Sequence, residues 1–366
     1  MRQVEPGVWR LWVDLESDPV TGRRRQTTRI IRGSRAHAEK ERDLLVTAIS
    51  TGKHVEPGDT TWLEFCATWL EQIRSTIRPA TADAYGQKTR MVSRYIGARR
   101  MSTITGPMLL SMYRRMLDDG YAPQSVAHAH RLVHRVFKDA IRWRVVDTNP
   151  ADSADPPRVE RSHMSTWTAE QVRMFLERTA DDRLAALWRL AAATGMRRGE
   201  LIGLRWPQIN LDRRVLNVSE TRVMVGGTPQ EARPKTQAGR RRVSIDAGTA
   251  DALGQWQAAQ SKDREFFGDA WAEGEWVWTW EDGRPLSPGW VSKRFRSLTV
   301  EHRLPRIRFH DLRHTWATLA LEAGVPAKVV ADRLGHAGIA ITLDTYTHHV
   351  DSLDRDAAER VAHLFG

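Results

Sequence analysis

Residues 149–164 read NPADSADPPRVERSHM, a stretch rich in Pro, Asp and Ser with no helical or strand periodicity. This break constrains the fold more than any other feature, because no continuous core can be threaded through it. A shorter break, EPGDT at 56–60, falls earlier. At 366 residues the chain has material for two or three cores. The expectation is a multidomain α+β protein. A small N-terminal β-sheet module with a helix spans 1–58, a four-helix domain 59–150, a linker 151–164, and a mainly helical domain with a small antiparallel sheet 165–366.

Local patterns support each block. Trp9, Leu11, Val13 and Leu15 alternate with Arg10, Trp12, Asp14 and Glu16, which predicts a strand with one buried face. RRRQTTRII predicts a second, basic strand, and Ser34 a cap for the helix after it. Trp62, Phe65, Cys66, Trp69 and Ile73 recur at helical spacing. Further helices are expected from Pro79, from Thr105-Gly106-Pro107 and from Ser125. Thr168 and Gln171 have capping-box spacing. Beyond them RVLNVS, TRVMV, RRVSI and the apolar EWVWTW read as strands, and the remainder as helix.

Charge narrows the partners. Lys plus Arg number 56 against 45 acidic residues, a net charge of +11. Such an excess attracts polyanions, nucleic acid first and anionic membrane second. Cys66 is the one cysteine, so an intramolecular disulfide and a cysteine zinc site are excluded; it reads as a small core residue. No signal-like apolar run opens the chain and no stretch approaches a membrane span, so a cytoplasmic protein is expected.

The chemistry-bearing residues fall in three places. TGMRRGEL at 194–201 carries Arg197 and Glu200. PKTQAGRRRVSI at 234–245 carries Lys235. The C-terminal stretch from Phe309 holds His310, Arg313, His336 and Tyr346. A tyrosine hydroxyl, with a pKa near 10, needs a base or neighbouring cations to attack. Arginine forks match the charge that gathers on phosphoryl oxygens and keep their protons. Glu200, three residues after Arg197, is placed to hold it. A lysine can protonate a departing sugar hydroxyl. Together these groups suit metal-free opening of a DNA phosphodiester. His336, His348 and His349 also read as metal ligands, but a tyrosine–arginine mechanism leaves a metal no task, and no cofactor is expected. For DNA contacts the candidates are Arg23, Arg24, Arg25 and Arg29 of the basic strand region, and Arg131, Arg135 and Lys138 on the fourth helix of the second block.

These segments resemble the boxes of the tyrosine recombinases, the phage-integrase family. TGMRRGEL resembles the first arginine box, PKTQAGRRRVSI the lysine hairpin, HDLRHT the second box and LGHAGIAITLDTYTH the third. The resemblance implies Tyr346 as nucleophile, forming a 3′-phosphotyrosine and releasing a 5′-hydroxyl. Arg197, Arg313 and His336 would hold the phosphate, Lys235 would act as general acid, and His310 would assist proton transfer, with Glu200 in support. It implies an arm-type DNA-binding module at 1–58 and a core-binding domain at 59–150. The partner is double-stranded DNA with attachment sites, bound by a homotetramer; an excisionase and a host DNA-bending protein are further candidate partners. Two other readings stay open: a DNA-binding regulator without turnover, and a nicking-resealing enzyme like a type IB topoisomerase.

Overall fold

The computed structural model describes residues 1–15, 25–50, 58–160, 165–232, 239–336, 338–346, 362 and 365. The chain divides into two compact units, Met1–Arg161 and Ser162–Gly366.

In the first unit β1 (Arg2–Glu5), β2 (Val8–Leu15) and β3 (Arg25–Arg32) form an antiparallel sheet in that order. The alternation expected in β2 is real. Leu11 is buried beside α1 (Arg35–Ser50), whereas Arg10, Trp12 and Asp14 are exposed. Ser34 accepts the His37 N–H at 3.2 Å, as a cap should. The sequence did not reveal β1: it is a fully exposed edge strand with no apolar alternation, held by backbone pairing to β2.

Four helices follow: α2 (Trp62–Ile73), α3 (Pro79–Ile96), α4 (Gly106–Asp118) and α5 (Pro123–Arg142). Helix α5 starts at Pro123, ahead of the expected Ser125, since the fixed φ of proline suits a first helical turn. Trp62, Trp69, Val133, Val136 and Phe137 fill the core, and Cys66 is buried among them. Burial pushes the Cys66 thiol pKa up, consistent with an inert packing residue. The expected linker needs correction at its start. Ala151 and Ala154 pack into this core, and Pro150–Ser153 forms a 3-10 turn capped by the Asn149 side chain. Proline-rich composition there signals a turn folded onto the helices.

The second unit begins with α6 (Ala169–Arg178), α7 (Ala185–Thr194) and α8 (Arg198–Ile202). Strands β4 (Ile209–Asn210), β5 (Val215–Val218), β6 (Thr221–Val225), β7 (Thr228–Ala232) and β8 (Arg241–Ser244) come next. They build two separate antiparallel sheets, β4-β5-β8 and β6-β7, rather than the single sheet expected. Then come α9 (Ala247–Phe267), α10 (Pro288–Glu301), α11 (Asp311–Glu322), α12 (Ala327–Leu334) and α13 (Ile339–Tyr346).

EWVWTW is not a ladder strand. It makes only isolated bridges, Arg205 to Trp276 and Thr279 to Pro285. Trp276, Val277, Trp278 and Thr279 are consecutive and all buried, so no face alternates. The backbone is satisfied piecemeal: Val277 N–H donates to the Leu204 carbonyl and Trp278 accepts from Leu286. An aromatic cluster of Trp167, Phe175, Trp188, Phe295 and Phe309 forms the centre of this unit. Phe309, anchored in this cluster, immediately precedes His310. Among the described residues no helix is long and apolar enough to cross a membrane.

Candidate active site

The site is assembled on the C-terminal end of α12. A helix leaves its last carbonyls without intrahelical donors, and its dipole makes that end negative. Here three consecutive carbonyls each accept from a different arginine. The Arg333 carbonyl takes Nε of Arg241, the Leu334 carbonyl takes Nη2 of Arg313 at 2.7 Å, and the Gly335 carbonyl takes Nη2 of Arg197 at 3.0 Å. These arginines come from β8, α11 and the residue before α8. Gly335 closes α12 in the left-handed conformation, φ 68°, which delivers His336 directly to the same place.

Arg197 precedes α8 in extended conformation. Its N–H donates to Glu200 Oε2 at 3.0 Å and its Nη1 to Glu200 Oε1 at 2.8 Å. Glu200 is buried, at 3% exposure, so the pair expected from their spacing has an interior carboxylate and a half-exposed guanidinium. Arg241 binds the same carboxylate, Nη2 to Oε2 at 2.8 Å and Nη1 to Oε1 at 3.2 Å. Burial alone would push the Glu200 pKa up; Arg241 and then Arg197 more than offset it and hold the carboxyl below its usual range. Helix α8 can lie this close to β6 because Gly199 has no side chain: a Cβ there would sit 2.5 Å from Thr221 Oγ1 and 2.8 Å from the Arg222 carbonyl.

Arg313 is almost fully buried, at 3% exposure. Besides Leu334, it donates through Nη1 to the Gly195 carbonyl at 2.9 Å. Gly195 ends α7 with φ 61°, and a Cβ there would meet Leu334 Cδ2 at 2.8 Å. The first glycine of TGMRRGEL therefore lets α7 turn against α12 and present an acceptor to Arg313.

His336 Nδ1 lies 2.8 Å from Thr342 Oγ1 on α13, and Thr342 is wholly buried. Tyr346 is the last residue of α13, one helical turn beyond Thr342 on the same edge. Burial, then Arg313 and Arg197, hold the His336 pKa down to about 4. His310 stands at the N-terminus of α11, three residues before Arg313 as its spacing implied. Protein packed around its ring, then His314 and Arg313, bring it to about 4 as well. Both imidazoles are therefore neutral at pH 7. Each can present one N–H and one lone pair.

Arg197 and His310 open onto a cleft of about 1020 Å³. Its lining adds Arg198, Arg222, Arg296, Arg306 and Arg308, a concentration of positive charge suited to a polyanion.

The structure thus brings Arg197, Glu200, Arg313 and His336 together, with His310 on the cleft wall. Lys235 lies outside the described residues, as do His348 and His349, and so does the side chain of Tyr346. Among the described residues no group of three or more His, Cys, Asp or Glu side chains could hold a metal. Of the basic-strand candidates, Arg23 and Arg24 lie outside the described residues, as does the Arg25 side chain. Arg29 is exposed, yet it pairs with buried Leu11 and so belongs to the helix-covered face of the sheet. The open face carries Arg10, Trp12, Thr28, Ile30 and Arg32. On α5, Arg131, Arg135 and Lys138 are exposed along one edge. Arg135 also donates to buried Asp139 at 3.0 Å, which accepts from Trp69 Nε1 at 2.9 Å. Sequence reading missed Arg241 and Thr342. Arg241 stood in the run GRRRVSI, where nothing separated it from two neighbouring arginines.

The model of the phage integrase family matches residues 166–352, which is just over half of the chain. The chain belongs to the phage integrase family. It is a tyrosine recombinase, an enzyme of site-specific DNA recombination. An integrase of Saccharopolyspora erythraea is 26% identical over 357 residues, covering 81% of this chain and 82% of that protein. Among solved structures, the Tn1549 transposon integrase in complex with a circular intermediate DNA superposes with a TM-score of 0.70. It is 20% identical and covers 82% of this recombinase and 99% of that chain. A lambda integrase tetramer bound to a Holliday junction aligns over 94% of this chain and 96% of that one, at 19% identity and a TM-score of 0.59.

Proposed function

We propose that this recombinase cleaves DNA with Tyr346 as nucleophile at a phosphate held by Arg197, Arg313 and His336. The observation that carries this reading is the meeting of three arginine side chains at the end of α12, with His336 next in the chain and Tyr346 on the following helix. An arginine has five N–H donors, and Arg197 uses only part of that fork on Glu200 and Gly335. The rest answers the charge that builds on the non-bridging oxygens. Neutral His336 donates a hydrogen bond without a proton being taken up first. The tyrosine oxygen attacks phosphorus, its proton leaving to neutral His310 or solvent, and the bond to the 5′ oxygen breaks. Lys235 protonates that oxygen as it departs. The phosphotyrosine conserves the ester, so the 5′-hydroxyl of a partner strand rejoins DNA without a nucleotide cofactor.

Residues 1–58 act as the arm-site module and the α2–α5 block as the core-binding domain in this reading. On the module, the open face bearing Arg10, Trp12 and Arg32 fits a DNA groove better than the face of Arg29, because it is free of α1. Four protomers act on two duplexes that carry attachment sites, with an excisionase and a host DNA-bending protein as candidate accessory partners.

Two marked duplexes carrying the attachment site test the reading. Recombinant strands are expected from the wild-type protein and none from Tyr346→Phe. Nicking and resealing without strand exchange would favour the topoisomerase-like alternative. Binding without any cleavage would favour the regulator.

A further inference from the structure

We propose that Arg241 is a positioning residue of the cleavage site: it fixes Arg197 from behind, through Glu200 and the end of α12, without touching DNA. This rests on the reading of Arg197 as a phosphate-binding arginine. Three observations support it. Arg241 contacts both oxygens of the carboxylate that holds Arg197. Its Nε reaches the Arg333 carbonyl, two residues before the Gly335 carbonyl that holds the other side of Arg197. Its side chain is 7% exposed, whereas that of Arg197 is 40% exposed and lines the cleft.

The geometry makes the two arginines a front and a back. A carboxylate has two oxygens and several lone pairs, so one buried Glu200 can serve both forks. With Arg197 alone, the Glu200 charge would be half-compensated in an interior where unpaired charge is expensive. Glu200 would then turn toward its remaining partner and draw the Arg197 fork away from the phosphate. With Arg241 in place the carboxylate is saturated and its orientation fixed, and Arg197 keeps donors for the ligand. The α12 contact does the same for the opposite side of the fork.

Arg241 also begins β8, and its Nη1 reaches the Gly239 carbonyl at 3.3 Å. The segment carrying Lys235 joins β7 to β8. The Arg241 contacts therefore tie Gly239, just before β8, to the carboxylate that also holds Arg197.

The test measures single-turnover cleavage and DNA affinity across a salt series for the full-length protein. The variants are Arg241→Gln, Arg241→Lys, Glu200→Gln, Arg197→Gln and the double variant Arg241→Gln/Glu200→Gln. Arg241→Gln is expected to slow cleavage about 10- to 100-fold, the usual effect of removing an outer partner of a reactive group. Its affinity and salt slope should match wild type, because no phosphate contact is lost. Arg197→Gln should lose cleavage and also lower the salt slope by about 1, as a phosphate ligand does. Arg241→Lys should fall between wild type and Arg241→Gln. The double variant should be no slower than its slower single variant, since both changes act through one carboxylate. If Arg241→Gln does not fold, Arg241→Lys is compared in the wild-type and Glu200→Gln backgrounds, with the same expectation of non-additivity. A reduced salt slope for the Arg241 variant, or losses that multiply with Glu200→Gln, would overturn the proposal. Wild-type cleavage by Arg197→Gln would instead overturn the reading of Arg197.

Discussion

Arg313 and Arg197 donate to the carbonyls of neighbouring residues, Leu334 at 2.7 Å and Gly335 at 3.0 Å. Two guanidinium side chains from elements far apart in sequence are set side by side by one helix end. Ordinarily a helix C-terminus meets cations as a matter of stability. Here the same attraction gathers groups that would repel each other in an open loop, where the proposed function places the scissile phosphate.

Gly195 is the point where that arrangement is most fragile. Gly195→Ala forces a side chain into left-handed backbone and against Leu334 and Trp316. It is expected to destabilise the protein by about 1–3 kcal/mol. Cleavage should fall further than stability alone explains, because the Gly195 carbonyl orients Arg313. Thermal unfolding and single-turnover cleavage on the same preparation check this; an unchanged midpoint would contradict it.

Acidification should weaken the protein free of DNA. His310 and His336 have folded-state pKa values near 4, below the ordinary value of 6.5. The unfolded chain therefore takes up protons at these positions before the folded one does. Stability is fully present above about pH 6.5 and declines as pH falls toward 4. In the proposed complex, phosphate charge beside the two rings raises their pKa values, so the decline should shrink when DNA is bound. Midpoints measured between pH 4 and 8, with and without DNA, report both effects. A midpoint for the free protein that rises on acidification would contradict the assignment.

Lys235→Ala should bind DNA normally and cleave about 10²- to 10⁴-fold more slowly, the usual contribution of a general acid. A substrate whose leaving 5′ oxygen is replaced by sulfur departs without a proton. It should restore most of the rate. Failure of that rescue would remove Lys235 from the acid role.

On α5 the exposed basic residues should separate into two classes. Arg131→Ala and Lys138→Ala should weaken DNA binding with little change in unfolding midpoint. Arg135→Ala should also lower the midpoint, since it strips one partner from buried Asp139 and leaves Trp69 alone on that carboxylate. Equal midpoints for all three variants would show that the Asp139 contact does not support the fold.

Much of this was legible in the sequence because the signals were local. The capping box at Thr168, the prolines opening α3 and α4 and the spacing of Arg197 and Glu200 all act within one helical turn. What escaped was set by distant partners. Arg241 differs from Arg240 and Arg242 only through its position opposite Val218 and its reach to Glu200 and α12. EWVWTW looked like a strand because its residues are apolar, but both of its sides are buried by other elements. The Ala151–Ala154 turn looked like linker because its packing depends on helices already folded. The sequence also could not show that register places Arg29 on the face that carries Leu11.

The most direct test is to trap the protein on a nicked suicide substrate and map the DNA-linked peptide by mass spectrometry. The adduct is expected at Tyr346, through a 3′-phosphate, and should be absent from Tyr346→Phe while DNA binding persists. An adduct at any other residue, or cleavage by the phenylalanine variant, would contradict the account.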